Sequence, residues 1–113
     1  MLPRAGNLFA LLPGPATGEI FEELLRLELP AGRVWIERIV SSATPETVLY
    51  DQPQSEWVLL LQGEARLWIA GEERMLVSGD YLFIPAYTPH RVVETSAEPP
   101  CIWLAVHFEG GGS

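Results

Sequence analysis

The sequence predicts an all-β domain, a small antiparallel β-barrel or jelly-roll sandwich. Three observations carry that prediction. From Arg33 onward, β-branched and aromatic residues gather into short runs. Gly, Pro, Ser and Asp interrupt those runs roughly every eight to twelve residues, the spacing of a sandwich or barrel. Beyond the segment Glu19–Leu29 nothing reads as a substantial helix.

Residues 1–18 are rich in Pro and Gly and read as an irregular arm, with one short turn of helix around Asn7–Leu11. Glu19–Leu29 contains good helix formers, yet Phe21, Leu25, Leu27 and Leu29 fall on one side of a strand, and strand is the reading taken. "RVWIERIVSS" is the next strand, and Pro45 ends that stretch. "EWVLLLQG" follows, apolar on both faces, as suits a barrel wall covered outside by a second layer. "EARLWIA" and "EERMLVS" form a hairpin about Gly71, and "SGD" turns into "YLFIP". "HRVVE" and "CIWLAVHF" flank "TSAEPP" as the last two strands. The domain is placed at 19–109, and residues 110–113 are a flexible tail.

The totals exclude several classes of function. A chain of 113 residues suggests one domain, able to bury roughly two thirds of its unfolded surface. Seven Lys+Arg against fifteen Asp+Glu leave a net charge of −8, which repels phosphate backbones and anionic membrane surfaces. No apolar run approaches the ~20 residues of a bilayer span. The N-terminal apolar cluster is broken by Pro13 and is not a targeting segment, so the expected location is the cytoplasm. The lone Cys101 has no basic neighbour to activate it and reads as a bland free thiol. No Gly-x-Ser-x-Gly elbow surrounds Ser55, and no Gly-rich phosphate loop precedes a helix.

Two stretches carry a family resemblance. In "GDYLFIPAYTPHRVVE", Gly79 is followed after five residues by Pro85, and His90 and Glu94 come later at fixed spacing. In "YDQPQSEWVLLLQG", Glu56 stands six residues ahead of Gly63. This pattern resembles the two motifs of the cupin superfamily over roughly residues 33–108. The second motif matches at Gly79, Pro85 and His90, with Tyr87 in place of its middle Gly and Glu94 in place of its Asn. The first motif matches at Glu56 and Gly63, while Tyr50 and Gln52 occupy the positions of its His-x-His pair. In metal-bearing cupins the two histidines, the Glu and the later His hold one divalent ion. Of these, Glu56 and His90 carry over, and the departures at Tyr50 and Gln52 bear directly on whether a metal binds.

Strand alternation places Tyr50, Gln52, Glu56, Val58 and Leu60 on one interior face if the loop at Pro53 keeps the phase. His90, Val92 and Glu94 share a face on a later strand, and the resemblance implies that the two faces meet. His107 joins this pocket if the last hairpin pairs Glu94 with Cys101, which would make His107 a diagonal neighbour of His90. Trp57, Trp68 and Trp103 read as packing residues, and Asp80 as a turn residue. Two functions follow. In one, Glu56, His90, Gln52 and Tyr50 form a reduced ligand set for a divalent metal (Fe, Mn, Zn or Ni), acting on or binding a small molecule. In the other, the same polar groups hold a small ligand in a metal-free binding or sensing module. A structural homodimer with a vestigial pocket is the third reading. The resemblance implies a homodimer, with the 1–18 arm as an exchanged element.

Overall fold

The computed structural model describes residues 4–10 and 14–110. They form eight strands: β1 (Glu19–Leu29), β2 (Gly32–Ser41), β3 (Ser55–Gln62), β4 (Glu64–Ile69), β5 (Glu72–Val77), β6 (Tyr81–Ile84), β7 (His90–Thr95) and β8 (Cys101–Gly110). Every pairing is antiparallel. A five-stranded sheet runs β1-β2-β8-β3-β6, and a three-stranded sheet runs β5-β4-β7. The two sheets close over a core that includes Ile39, Val58, Leu60, Leu67, Ile84 and Trp103. The result is the jelly-roll arrangement expected from the sequence. No described helix is long and apolar enough to cross a membrane.

Period-two alternation does most of the sorting. Along β3, Glu56, Val58 and Leu60 are buried, while Trp57, Leu59 and Leu61 are half-buried on the outer face. The β4–β5 turn is a two-residue connection in which Ala70 (φ 48°) and Gly71 (φ 95°) both take positive φ, the geometry that matches strand twist.

Four expectations need correction. The last two strands do not form a hairpin: β7 pairs with β4, and β8 is inserted between β2 and β3. The chain thereby places β8, apolar from Cys101 to Val106, in the middle of the larger sheet, and Glu94 does not pair with Cys101. A register shift between Arg66 and Leu67 takes up one extra β7 residue, Val93, and turns Glu94 outward onto Arg66. Among the described residues no second sheet covers the outer face of β3, where Trp57, Leu59 and Leu61 are half-buried. At the C-terminal end, Gly110 belongs to β8 rather than to the tail.

Of the expected helical turn, residues 8–10 form a single turn in which Ala10 N–H donates to Asn7 O at 3.0 Å, and Leu11 lies outside the described residues. The arm lies against β2, where Arg38 donates to Leu8 O (3.2 Å) and Ala10 O (2.6 Å).

Gly63 links the two sheets between β3 and β4. Its φ is +98°, and a Cβ there would lie 2.8 Å from Cys101 Sγ and 3.0 Å from Cys101 Cα. Both the positive φ and the close approach demand glycine. Gly63→Ala is expected to lose about 2–4 kcal/mol of stability in urea titration, from backbone strain plus overpacking. An unchanged midpoint would contradict this account of the link.

Candidate functional site

The barrel encloses one mixed cavity of about 100 Å³, and both faces identified in the sequence contribute to it. Tyr50, Gln52, Glu56 and Val58 line one side, with His90 and Val92 across from them. The loop at Pro53 therefore keeps the phase. The reason is visible in the backbone. Tyr50 and His90 exchange both hydrogen bonds (2.8 and 2.9 Å), and Tyr87 N–H donates to Gln52 O at 2.7 Å. Residues 50–52 are thus held beside the turn leading into β7. Tyr87 takes φ 59° where the family motif has glycine, a left-handed conformation unusual for its residue type.

These constraints bring Glu56 Oε1 to 3.8 Å from His90 Nε2. Glu56 is further fixed by Gln52, whose amide nitrogen donates to Oε1 at 2.9 Å. His90 Nδ1–H donates to Thr88 O at 2.8 Å, so a neutral ring presents the Nε2 lone pair toward Glu56. The Tyr50 ring stacks on the imidazole with centroids 5.7 Å apart, fixing its plane.

His107 also lines the cavity, through a different register from the one expected. On β8 it pairs with Glu56 of β3 on one side and Trp35 of β2 on the other. His107 Nε2–H donates to Glu37 Oε1 at 2.8 Å, and Nδ1 accepts from the Gln54 amide at 3.5 Å. The Trp35 ring stacks on it at 4.9 Å, with planes 8° apart.

Sequence reasoning missed Glu37, Glu19 and Ser41. Glu37 carried the same signal as Glu56, a carboxylate inside an apolar strand ("VWIERIV"). Glu19 could be placed only once β1 was paired, because it enters through the alignment of Glu19 with Ser41. A directed chain of hydrogen bonds supports it: Trp103 Nε1–H donates to Ser41 Oγ at 2.9 Å, and Ser41 Oγ–H donates to Glu19 Oε2 at 2.7 Å. Burial pushes the Glu19 carboxyl above its ordinary range; the Ser41 bond opposes this, and the charges of Glu46, Glu56 and Glu37 add to the rise. Burial, followed by the charges of Glu19, Glu46, Glu56 and Glu37, likewise raises the Tyr50 phenol.

The donor set falls short of a divalent-metal shell. Among the described residues no group of three or more His, Cys, Asp or Glu is arranged to hold a metal ion. Gln52 turns its amide nitrogen, not its oxygen, toward Glu56.

A two-sheet antiparallel barrel with polar groups converging inside an apolar wall defines a jelly roll with a polar pocket. The cupin-domain family profile matches residues 41–107, and the chain belongs to that family. A protein from Ralstonia eutropha JMP134, provisionally described as a mannose-6-phosphate isomerase, has a crystal structure 42% identical in sequence, with a TM-score of 0.81 over 96% of this chain and 100% of that one. Quercetin 2,3-dioxygenase of Bacillus subtilis (strain 168) is 39% identical over 77 residues, 68% of this chain. The match spans only 19% of that enzyme's length. A cupin superfamily protein from Desulfitobacterium hafniense DCB-2 shares the fold at 20% identity, with a TM-score of 0.74 over 96% of this chain and 94% of that one.

The raised Glu19 carboxyl has a consequence for stability. The folded state holds this proton more tightly than the unfolded chain, so the penalty for ionising it is absent below about pH 4.5 and grows as pH rises through the folded value. Glu19→Gln is expected to melt roughly 2–6 °C above the parent at pH 7, with the gap closing at pH 4. A gap that is constant across pH, measured by calorimetry, would contradict the assignment.

Proposed function

We propose that this cupin binds a small molecule inside the barrel and that the Glu56–His90 pair is the group the ligand meets. The observation that carries the reading is the open 3.8 Å gap between Glu56 Oε1 and His90 Nε2. It is too long for a hydrogen bond, so two acceptors face one space in an otherwise largely apolar cavity. A ligand N–H or O–H placed there meets both. Chemically, Nε2 can take a proton from a bound molecule, and the adjacent carboxylate stabilises the imidazolium that results. Thr88 O holds the ring in the tautomer this requires, while Tyr50 and Gln52 fix the geometry of the two partners.

A divalent ion, Fe, Mn, Zn or Ni, is the second reading. It is favoured by the coincidence of Glu56 and His90 with two of the four ligand positions of the cupin motifs. Gln52 and Tyr50 would then have to supply oxygen in place of the motif's paired histidines.

One set of samples separates these readings. A fragment library is screened by ligand-observed NMR against the parent, Glu56→Gln and His90→Ala, with folding checked by circular dichroism and metal content by elemental analysis. Fragments that bind the metal-free parent and lose at least about ten-fold in affinity in both variants support the ligand reading. Stoichiometric metal lost in His90→Ala supports the second. Fragments that bind all three proteins equally would refute a role for the pair.

The partner reading is a second copy of this chain. The outer face of the five-stranded sheet carries an uncharged row, Leu25–Ile36–Val106–Trp57–Phe83, that crosses every strand. Leu59, Leu104 and Tyr81 extend it. Chains each bearing a net charge of −8 meet most favourably through such an uncharged face, and a self-complementary patch suits a twofold dimer. Light scattering is expected to give a dimer for the parent and a monomer for Val106→Glu. A parent that stays monomeric at ~100 μM, where even a Kd near 1 μM would leave it mostly dimeric, sinks this reading.

A further inference from the structure

We infer that the ligand of the barrel is a small organic cation, an ammonium group carried on an apolar body. This rests on the reading of the Glu56–His90 pair as the ligand-facing group and adds to it the charge class of the ligand.

Three carboxylates, Glu19, Glu37 and Glu56, line the cavity, and no Lys or Arg does. Glu37 has a partner in His107 at 2.8 Å. Glu56 has only the Gln52 amide within bonding distance, and Glu19 only the Ser41 hydroxyl. Neither contact supplies a positive charge. Carboxylates out of water and near one another raise each other's cost, and a fixed cation among them would lower it. Among the described residues no permanently charged cation lines the cavity, and the only basic groups there are the imidazoles of His90 and His107.

A second, independent feature points to a donor in the same space. His90 is 9% exposed, its Nδ1 is committed to Thr88 O, and its Nε2 lies in the cavity with no hydrogen-bond partner. An acceptor nitrogen and a carboxylate oxygen 3.8 Å apart suit two hydrogens on one nitrogen, each bond near the usual 2.8 Å for a charge-assisted contact. An anion placed there would face two lone pairs and three carboxylates.

The rest of the wall matches the body of such a ligand. Ile39, Val58, Leu67, Ile84 and Val92 offer aliphatic contact. Tyr50 and Trp103 add aromatic surface, which favours cations. Glu19 fits the same logic. Burial makes its carboxylate costly, yet the Trp103–Ser41 relay is oriented to hold it as an acceptor. A bound cation would offset that cost.

The test uses n-butylammonium, n-butanol and n-butanoate, titrated by isothermal calorimetry and backbone-amide NMR into the intact chain and into Glu19→Gln at pH 7. Butylammonium is expected to bind at least about ten-fold tighter than butanoate, with shifts at Glu56 and His90. Glu19→Gln is expected to lose several-fold of that preference while keeping its affinity for butanol. Butanoate binding as tightly as butylammonium would overturn the charge assignment, as would a preference unchanged in Glu19→Gln. If butanol binds at His90 and butylammonium does not, the cation inference fails and the pocket reading stands. If none of the three binds, both fail.

Discussion

The placement of β8 between β2 and β3 is the constraint from which the interior follows. That one strand pairs along its length with both neighbours, so Glu37, Ala105, His107 and Glu56 are locked into adjacent inward positions. A strand offers side chains to one face only at every second residue, and a slip of one residue would turn all of them outward. The burial of Trp103 and Ala105 on the same face makes that slip expensive. Core packing and site geometry are therefore set by the same pairing.

The interior joins two environments that oppose each other energetically. Toward Leu60, Ala65 and Cys101 the barrel interior is apolar. Toward Glu19, Glu37, Tyr50 and Glu56 it collects acidic side chains around one cavity. Each of the three carboxylates is given a specific partner: Ser41 for Glu19, His107 for Glu37, Gln52 for Glu56. Such partnering lowers the cost of burial without removing it. The Glu56–His90 gap is where the partnering is incomplete, and a ligand could complete it.

Glu56 and His90 were legible because each breaks a local rule at a fixed distance from a glycine: a charge heads an apolar strand, and an imidazole follows a Pro-containing turn. Gly63 and Gly79 both take positive φ, which accounts for their place in the motifs. His107 was legible as a candidate for the pocket, but not its route there, since the expected hairpin with β7 does not form. Glu94 shows the limit of alternation. A single extra residue in β7 reverses its face, and nothing in "HRVVE" marks the bulge. Glu19 could not be assigned at all from its own segment, whose composition suits helix and strand alike.

Local patterning by itself determined the all-β class, most strand positions and the turns at Gly71 and Gly79, while the phase of Tyr50 and Gln52 relative to Glu56 stayed conditional on the loop at Pro53. These depend on φ preference, β propensity and period-two alternation, which act over a few residues. Only the tertiary structure decided that β8 inserts between β2 and β3, that Glu37 meets His107 across 70 positions of chain, and that Glu19 reaches the same cavity. Strand order is settled by which apolar faces can be buried together, a property of the whole chain that no short window contains.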